Sequence, residues 1–128
     1  MALYTYDYDF RYSPSAPVIE VEIGSVATPD TIKLVTLIDS GADATLLPAE
    51  LLKRLRAPRI DARILRTITN ERKTVTLYRV WLQIGPYRLP TVSVVGIPTL
   101  ASAVLGRDVL NHLIVTLNGL ATMTEISQ

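Results

Sequence analysis

Leu37-Ile38-Asp39-Ser40-Gly41-Ala42-Asp43 is the stretch on which the fold turns. Aliphatic residues run straight into Asp-Ser-Gly, a small residue follows, and Leu46-Leu47 stand close behind. The pattern predicts a buried strand driven into a tight turn, with one carboxylate left at the strand's end and a hydroxyl and side-chain-free backbone beside it. Alone, the tripeptide is an ordinary turn, because Asp and Ser bond nearby backbone and Gly accepts positive φ. A second segment gives it weight. Ala103-Val104-Leu105-Gly106-Arg107-Asp108 is another short apolar strand, ending in Gly and followed by a short helical stretch.

A chain of 128 residues holds one domain with a real core. Its 13 basic and 12 acidic residues leave a formal net charge of +1, which gives no footprint for nucleic acid. Arg54, Arg56, Arg59, Arg63 and Arg66 form a locally basic stretch, but Glu50, Asp61 and Glu71 punctuate it and no stacking aromatics interleave, as on a solvated face. With no cysteine, disulfides and thiolate–metal sites are excluded. The one histidine, His112, has no His or Cys near it, so no metal site is expected. No signal-peptide core and no run of membrane-span length occurs, so no membrane association is expected and a cytoplasmic location is the default.

Along the chain, residues 1–16 mix Tyr, Asp, Ser and Pro without a period and read as an extended or partly ordered N-terminal arm before a domain over 17–128. Ile19, Val21 and Ile23 alternate with Glu20 and Glu22 as a half-buried strand. Residues 25–31, with Pro29-Asp30, read as a turn or loop, and Ile32 to Ile38 as a fully buried strand delivering Asp39. Pro48 to Leu55 carries the helix signal, with Pro in the first turn, Glu50 near the dipole's positive end and Leu51, Leu52 and Leu55 on one face. Residues 60–83 are strand-like around a polar break at Thr69-Asn70-Glu71-Arg72, and Gly85-Pro86 joins two further strands. Arg107 to Leu113 reads as a short helix, and Asn118-Gly119 as the type I′ turn of a closing hairpin. Many short strands and one or two helices predict an all-β, single-domain, closed barrel-like fold.

Together the Asp39-Ser40-Gly41-Ala42 and Val104-Leu105-Gly106-Arg107-Asp108 segments resemble the retropepsin-like (retroviral-type) aspartic proteases, in that family's order and spacing, over roughly 17–128. The resemblance implies the acid-protease fold and an aspartic endopeptidase acting on a peptide or protein substrate without cofactor. The chain carries one Asp-Ser-Gly and no internal repeat, so a carboxylate pair needs a second copy of the chain, and the family implies a homodimer with Asp39 of each subunit on the two-fold axis. Two carboxylates forced to about 3 Å share a proton, so one can act as general base on water while the other acts as general acid.

By the same resemblance Ser40, Gly41 and Ala42 support the site, and Gly41 and Asp43 meet the substrate backbone. Ile68, Thr69 and Asn70 form the tip of a hairpin flap that closes over substrate. Arg107, beside Asp108, pairs structurally with Asp43. Two features depart from the viral members: the flap stretch 66–75 contains no glycine, which is closer to the cellular and bacterial members, and sixteen or so residues precede the first clear strand where family dimers pair their chain ends. The rival reading is a catalytically silent dimerisation or peptide-binding module of the same fold. A serine hydrolase using Ser40 would have only His112 to serve it.

Overall fold

The alternation of Ile19, Val21 and Ile23 builds the first wall of a barrel. In the computed structural model, which describes residues 3–66, 69–100 and 102–128, all three side chains are buried along β2 (Val18–Ser25). β2 turns through Val26-Ala27 into β3 (Thr28–Ile38), paired antiparallel from Val18↔Leu37 to Ser25↔Thr28. The expected loop over 25–31 is therefore only a tight turn, and Pro29 and Asp30 lie exposed near the start of β3.

The remaining strands are β4 (Leu46–Pro48), β5 (Arg59–Arg66), β6 (Arg72–Ile84), β7 (Tyr87–Ile97) and β8 (Ala103–Leu105), with helix α1 (Ala49–Arg54) after β4 and helix α2 (Arg107–Leu110) after β8. The sheet order is β2-β3-β8-β4-β7-β6-β5, and a further β6–β2 pairing over Glu22↔Gln83 to Gly24↔Trp81 closes six strands into a barrel, leaving β5 outside. The protein is thus an all-β closed barrel with two short helices, as its punctuation predicts.

Ile19, Ile23, Leu47, Leu52, Leu82, Ile84, Val94 and Leu105 fill the interior with no exposed surface. Each such side chain contributes about 1.5–3 kcal/mol of burial.

β3 itself is not fully buried. Thr36 is the one fully enclosed residue on it, its hydroxyl donating to the Ile19 carbonyl at 2.9 Å, whereas Val35 is exposed and Leu37 half-buried. Among the described residues the two helices pack chiefly on β4, β7 and β8 and leave the outer face of this strand uncovered. Its aliphatic residues instead floor a groove of about 380 Å3 with Val18, Leu100 and Tyr12. An aliphatic run can mark two covered faces or one covered face and a groove, and the pattern is the same.

α1 starts after Pro48, whose extended backbone caps it, and buries Leu52. It ends in a Schellman closure: Arg56 adopts φ 51°, its N–H donates to the Lys53 carbonyl and the Ala57 N–H to that of Leu52, both at 3.0 Å. A side chain with a Cβ is strained there. Arg56→Gly is expected to raise stability by about 1 kcal/mol, read as a shift in the urea midpoint at unchanged slope. A lower midpoint would show that the Arg56 side chain itself stabilises the fold.

Residues 3–16 are tied into the structure. β1 (Tyr4–Asp7) pairs antiparallel with β10 (Met123–Ser127), which in turn pairs with β9 (Ile114–Asn118), giving a second sheet in the order β1-β10-β9. Tyr4 stands edge-on to Tyr87 at 5.8 Å, and burial, with Glu20 nearby, raises the Tyr6 pKa. Beyond β1, Asp9 bridges to Ala16, Arg11 holds the Asp9 carboxylate at 2.6 Å and lowers its pKa by side-chain hydrogen bonds, and Tyr12 bonds Ser102 at 2.7 Å.

The closing hairpin differs from its expected turn. The loop between Asn118 and Met123 is longer than a two-residue I′ turn. Thr122, at φ 51°, takes the left-handed position, and Asn118 Oδ1 accepts from the Ala121 N–H at 3.0 Å. Asn118 thus acts through its side chain. Gly85-Pro86 does form a two-residue turn, with Gly85 at φ 53° and Ile84 opposite Tyr87.

Candidate active site

Two parallel strands place the site. Thr36↔Ala103 through Ile38↔Leu105 puts the ends of β3 and β8 level, and the Asp39 N–H donates to the Leu105 carbonyl at 3.1 Å. The chain then turns at once: Ala42 N–H donates to the Asp39 carbonyl at 3.1 Å, and Gly41 N–H donates to Asp39 Oδ1 at 2.9 Å. One carboxylate oxygen is therefore held by backbone, on an exposed side chain at the mouth of the barrel. Ser40 and Gly41 are exposed beside it, Ala42 is half-buried and Asp43 is exposed.

The Gly-Arg-Asp segment holds this turn from behind. The Arg107 backbone N–H donates to the Ala42 carbonyl at 2.8 Å, and its guanidinium Nη1 donates to the Ser40 carbonyl at 2.6 Å. The expected Arg107–Asp43 ion pair does not form within the chain; the guanidinium bonds the backbone carbonyl of Ser40 in the turn instead. Asp108 is the deeper anchor. It accepts from the Thr45 backbone N–H at 3.0 Å and from the Thr45 hydroxyl at 2.7 Å, while Thr45 Oγ1 accepts from the Gly106 N–H at 3.1 Å. α2 is shorter than the expected 107–113, and Asn111 to Leu113 continue it only as a tight turn, with Leu113 N–H donating to the Leu110 carbonyl.

Thr45 is the residue that the sequence reading missed. Its signal is a lone hydroxyl in the run Ala44-Thr45-Leu46-Leu47, where a buried polar group needs a partner. It is fully buried, and its two bonds join both segments of the site. Thr45→Val keeps the shape and deletes both bonds to its hydroxyl, one of them to a carboxylate. It is expected to cost about 2–3 kcal/mol in chemical unfolding, against less than about 0.5 kcal/mol for an ordinary surface change. A cost below 1 kcal/mol would remove Thr45 from this role.

β5 and β6 form the hairpin at the flap position, paired from Arg59↔Tyr78 to Arg66↔Arg72. Of its expected tip residues, Thr69 and Asn70 are exposed, and Asn70 at φ 66° supplies the left-handed residue in a loop without glycine, whereas Thr67 and Ile68 lie outside the described residues. The return strand of this hairpin walls a cavity of about 380 Å3, with Lys73 to Thr76 on one side and Gly96, Ile97 and Pro98 on the other. No hydrogen bond joins the His112 ring to Ser40 among the described residues, nor do three His, Cys, Asp or Glu side chains gather as metal ligands there. No described helix is long and apolar enough to cross a membrane.

An exposed Asp in a strand-end Asp-Ser-Gly turn, pinned by a Gly-Arg-Asp segment on a closed barrel, defines a retropepsin-like aspartic protease architecture. The sequence carries the assignment further: the chain belongs to the gag-polyprotein putative aspartyl protease family, whose model matches residues 24–112. Solved structures share the fold. The retropepsin-like aspartic protease from Rickettsia conorii superposes with a TM-score of 0.68 at 13% identity, covering 98% of this chain and 89% of its own. The EIAV protease complexed with the inhibitor HBY-793 gives 0.60 at 18% identity, covering 76% and 86%. No curated protein sequence matches significantly.

Proposed function

We propose that the protein is an aspartic endopeptidase that hydrolyses peptide bonds as a symmetric homodimer, with Asp39 of each subunit forming the catalytic dyad. The observation that carries this reading is the Asp39 carboxylate itself, exposed at a strand end with Oδ1 fixed by the Gly41 N–H and the turn carbonyls of Ser40 and Ala42 tethered by Arg107. Membership of an aspartyl protease family supports the same chemistry.

In the dyad one carboxylate is ionised and the other protonated. The ionised member takes a proton from water as its oxygen attacks the scissile carbonyl, and the protonated member donates to the carbonyl oxygen. Collapse of the tetrahedral species sends a proton to the leaving amine and returns the pair to its starting state. Gly41 and Asp43 hold the substrate backbone, the β5–β6 hairpin closes over it, and the cavity between Lys73–Thr76 and Gly96–Pro98 receives a side chain. Opposed demands for one ionised and one neutral carboxylate make the rate bell-shaped in pH.

The test is dilution. Specific activity on an extended peptide should fall as the enzyme concentration crosses the dimer dissociation constant measured by sedimentation. A strictly monomeric preparation that remains fully active would overturn the dyad. A stable dimer without peptidase activity on any extended peptide would identify a silent module.

A further inference from the structure

Charge is spread unevenly along this chain. Residues 53–79 hold nine of the 13 basic residues and, of the 12 acidic ones, only Asp61 and Glu71, a surplus of seven positive charges. The rest of the chain has four basic and ten acidic residues, a surplus of six negative charges that the net charge of +1 conceals. The fold gathers the positive part on α1 and the β5–β6 hairpin, where Arg54, Arg59, Arg63, Arg72, Lys73 and Arg79 are all exposed. The ion pair formed among the described residues joins Arg11 to Asp9, so no salt bridge there neutralises these six cations.

Two of them face the site. Directly opposed residues of an antiparallel pair share a face, as do alternate residues of one strand. Arg63 stands opposite Val75 and Leu65 opposite Lys73, so Arg63, Lys73, Val75 and Leu77 lie on one face of the hairpin. That face is turned toward the loop carrying Asp39, since Val75 and Leu77 pack with Ala44 and Leu46. Arg63 and Lys73 are diagonal neighbours on it, about 7–8 Å apart and within reach of long side chains. Asp61 shares the face but accepts the Ala62 N–H at 2.7 Å. Lys73 also lines the cavity of about 380 Å3 between β6 and β7, and among the described residues lining it Lys73 alone is charged. Neutral walls with one exposed ammonium suit a side chain with an apolar stem and a carboxylate end.

We propose that the substrate is an acidic peptide: a Glu or Asp side chain enters this cavity and ends on Lys73, with Arg63 as the second cation, while the field of the hairpin draws the peptide into the cleft. This rests on the protease reading above and deepens it by naming the substrate class. A nucleic-acid strand would meet the same charge, but the one aromatic residue of 53–79, Tyr78, is buried and offers bases no stacking platform.

Glu and Gln differ in charge at nearly constant shape, so paired peptides isolate the effect. In a mixture of random decapeptides, those with Glu within about three residues of the scissile bond should be cleaved with a kcat/KM at least about fivefold above their Gln counterparts at about 50 mM salt, and the ratio should fall toward one at about 500 mM. Lys73→Glu should lower that ratio at least about fivefold. Lys33→Glu, the same change of charge at an exposed position on β3, should leave it unchanged. Equal rates for the Glu and Gln peptides, or a ratio that survives Lys73→Glu, would overturn the proposal. Fluorescence anisotropy with labelled decapeptides of alternating Glu and Leu, or Gln and Leu, reads binding without turnover. If no peptide is cleaved but the Glu peptide binds more tightly and Lys73→Glu abolishes the difference, the protease reading fails and the acidic-peptide site stands. Equal binding in that case would overturn both. Tighter binding of a single-stranded oligonucleotide than of the Glu peptide would reassign the hairpin to nucleic acid and overturn the proposal.

Discussion

Asp39→Asn is expected to lower peptidase activity by at least about 1,000-fold while leaving the fold intact, since an acid–base pair contributes about 10²–10⁴-fold and both members of the proposed dyad change at once. The substitution separates chemistry from structure cleanly. The contact that holds the side chain is the Gly41 N–H on Oδ1 at 2.9 Å, and an amide oxygen accepts that bond as a carboxylate does. Asp39 is exposed and forms no ion pair within the chain, so little stability depends on its charge. What Asn cannot do is take a proton from water. The measurement is peptide hydrolysis alongside urea unfolding on the same preparation. Wild-type turnover from Asp39→Asn would end the dyad assignment, whereas a collapse of stability by more than about 2 kcal/mol would mean that the carboxylate carries a structural load the static contacts do not reveal.

The candidate site is legible where a turn requires particular residues and opaque where geometry chooses among several. Asp39-Ser40-Gly41 and Gly106-Arg107 could be read because a carboxylate at a strand end and a glycine behind it leave a composition signature. Their partners could not be read the same way. Whether Arg107 meets the Asp43 carboxylate or the Ser40 carbonyl is decided by turn geometry, which residue types alone do not encode. Thr45 was passed over because a hydroxyl in an apolar run reads as noise until Asp108 is seen beside it.

The same division runs through the fold. The barrel strands announce themselves by period, as Ile19, Val21 and Ile23 do, but β1 is Tyr-Thr-Tyr-Asp, with no aliphatic residue, and becomes a strand only because the distant β10 offers it an edge. Long-range pairing of that kind has no local code. Likewise the aliphatic run of β3 hid an uncovered outer face, which only the placement of the helices decides.

Gly106→Ala is expected to cost about 3 kcal/mol, the upper end for overpacking. A Cβ built on Gly106 would sit 2.6 Å from both the carbonyl carbon and the oxygen of Ala44 and 3.0 Å from the Ala42 oxygen. These atoms are backbone and cannot swing aside as a side chain would. Nor is the requirement conformational: at φ −95° the residue lies where any amino acid is comfortable, so the demand for glycine comes entirely from the loop packed against it. That loop is the one carrying Asp39, and its position is fixed by the Arg107 N–H on Ala42 and by the Gly106 N–H on Thr45. Displacing it by even half an ångström must lengthen those bonds, so activity should fall further than stability alone predicts. Gly119→Ala is the control, since nothing lies within 4 Å of its Cβ position and it should change stability by less than about 0.5 kcal/mol. If Gly106→Ala unfolds at the wild-type urea midpoint, the two segments of the site are not packed as tightly as their contacts imply, and the coupling of Gly-Arg-Asp to the Asp39 turn fails with it.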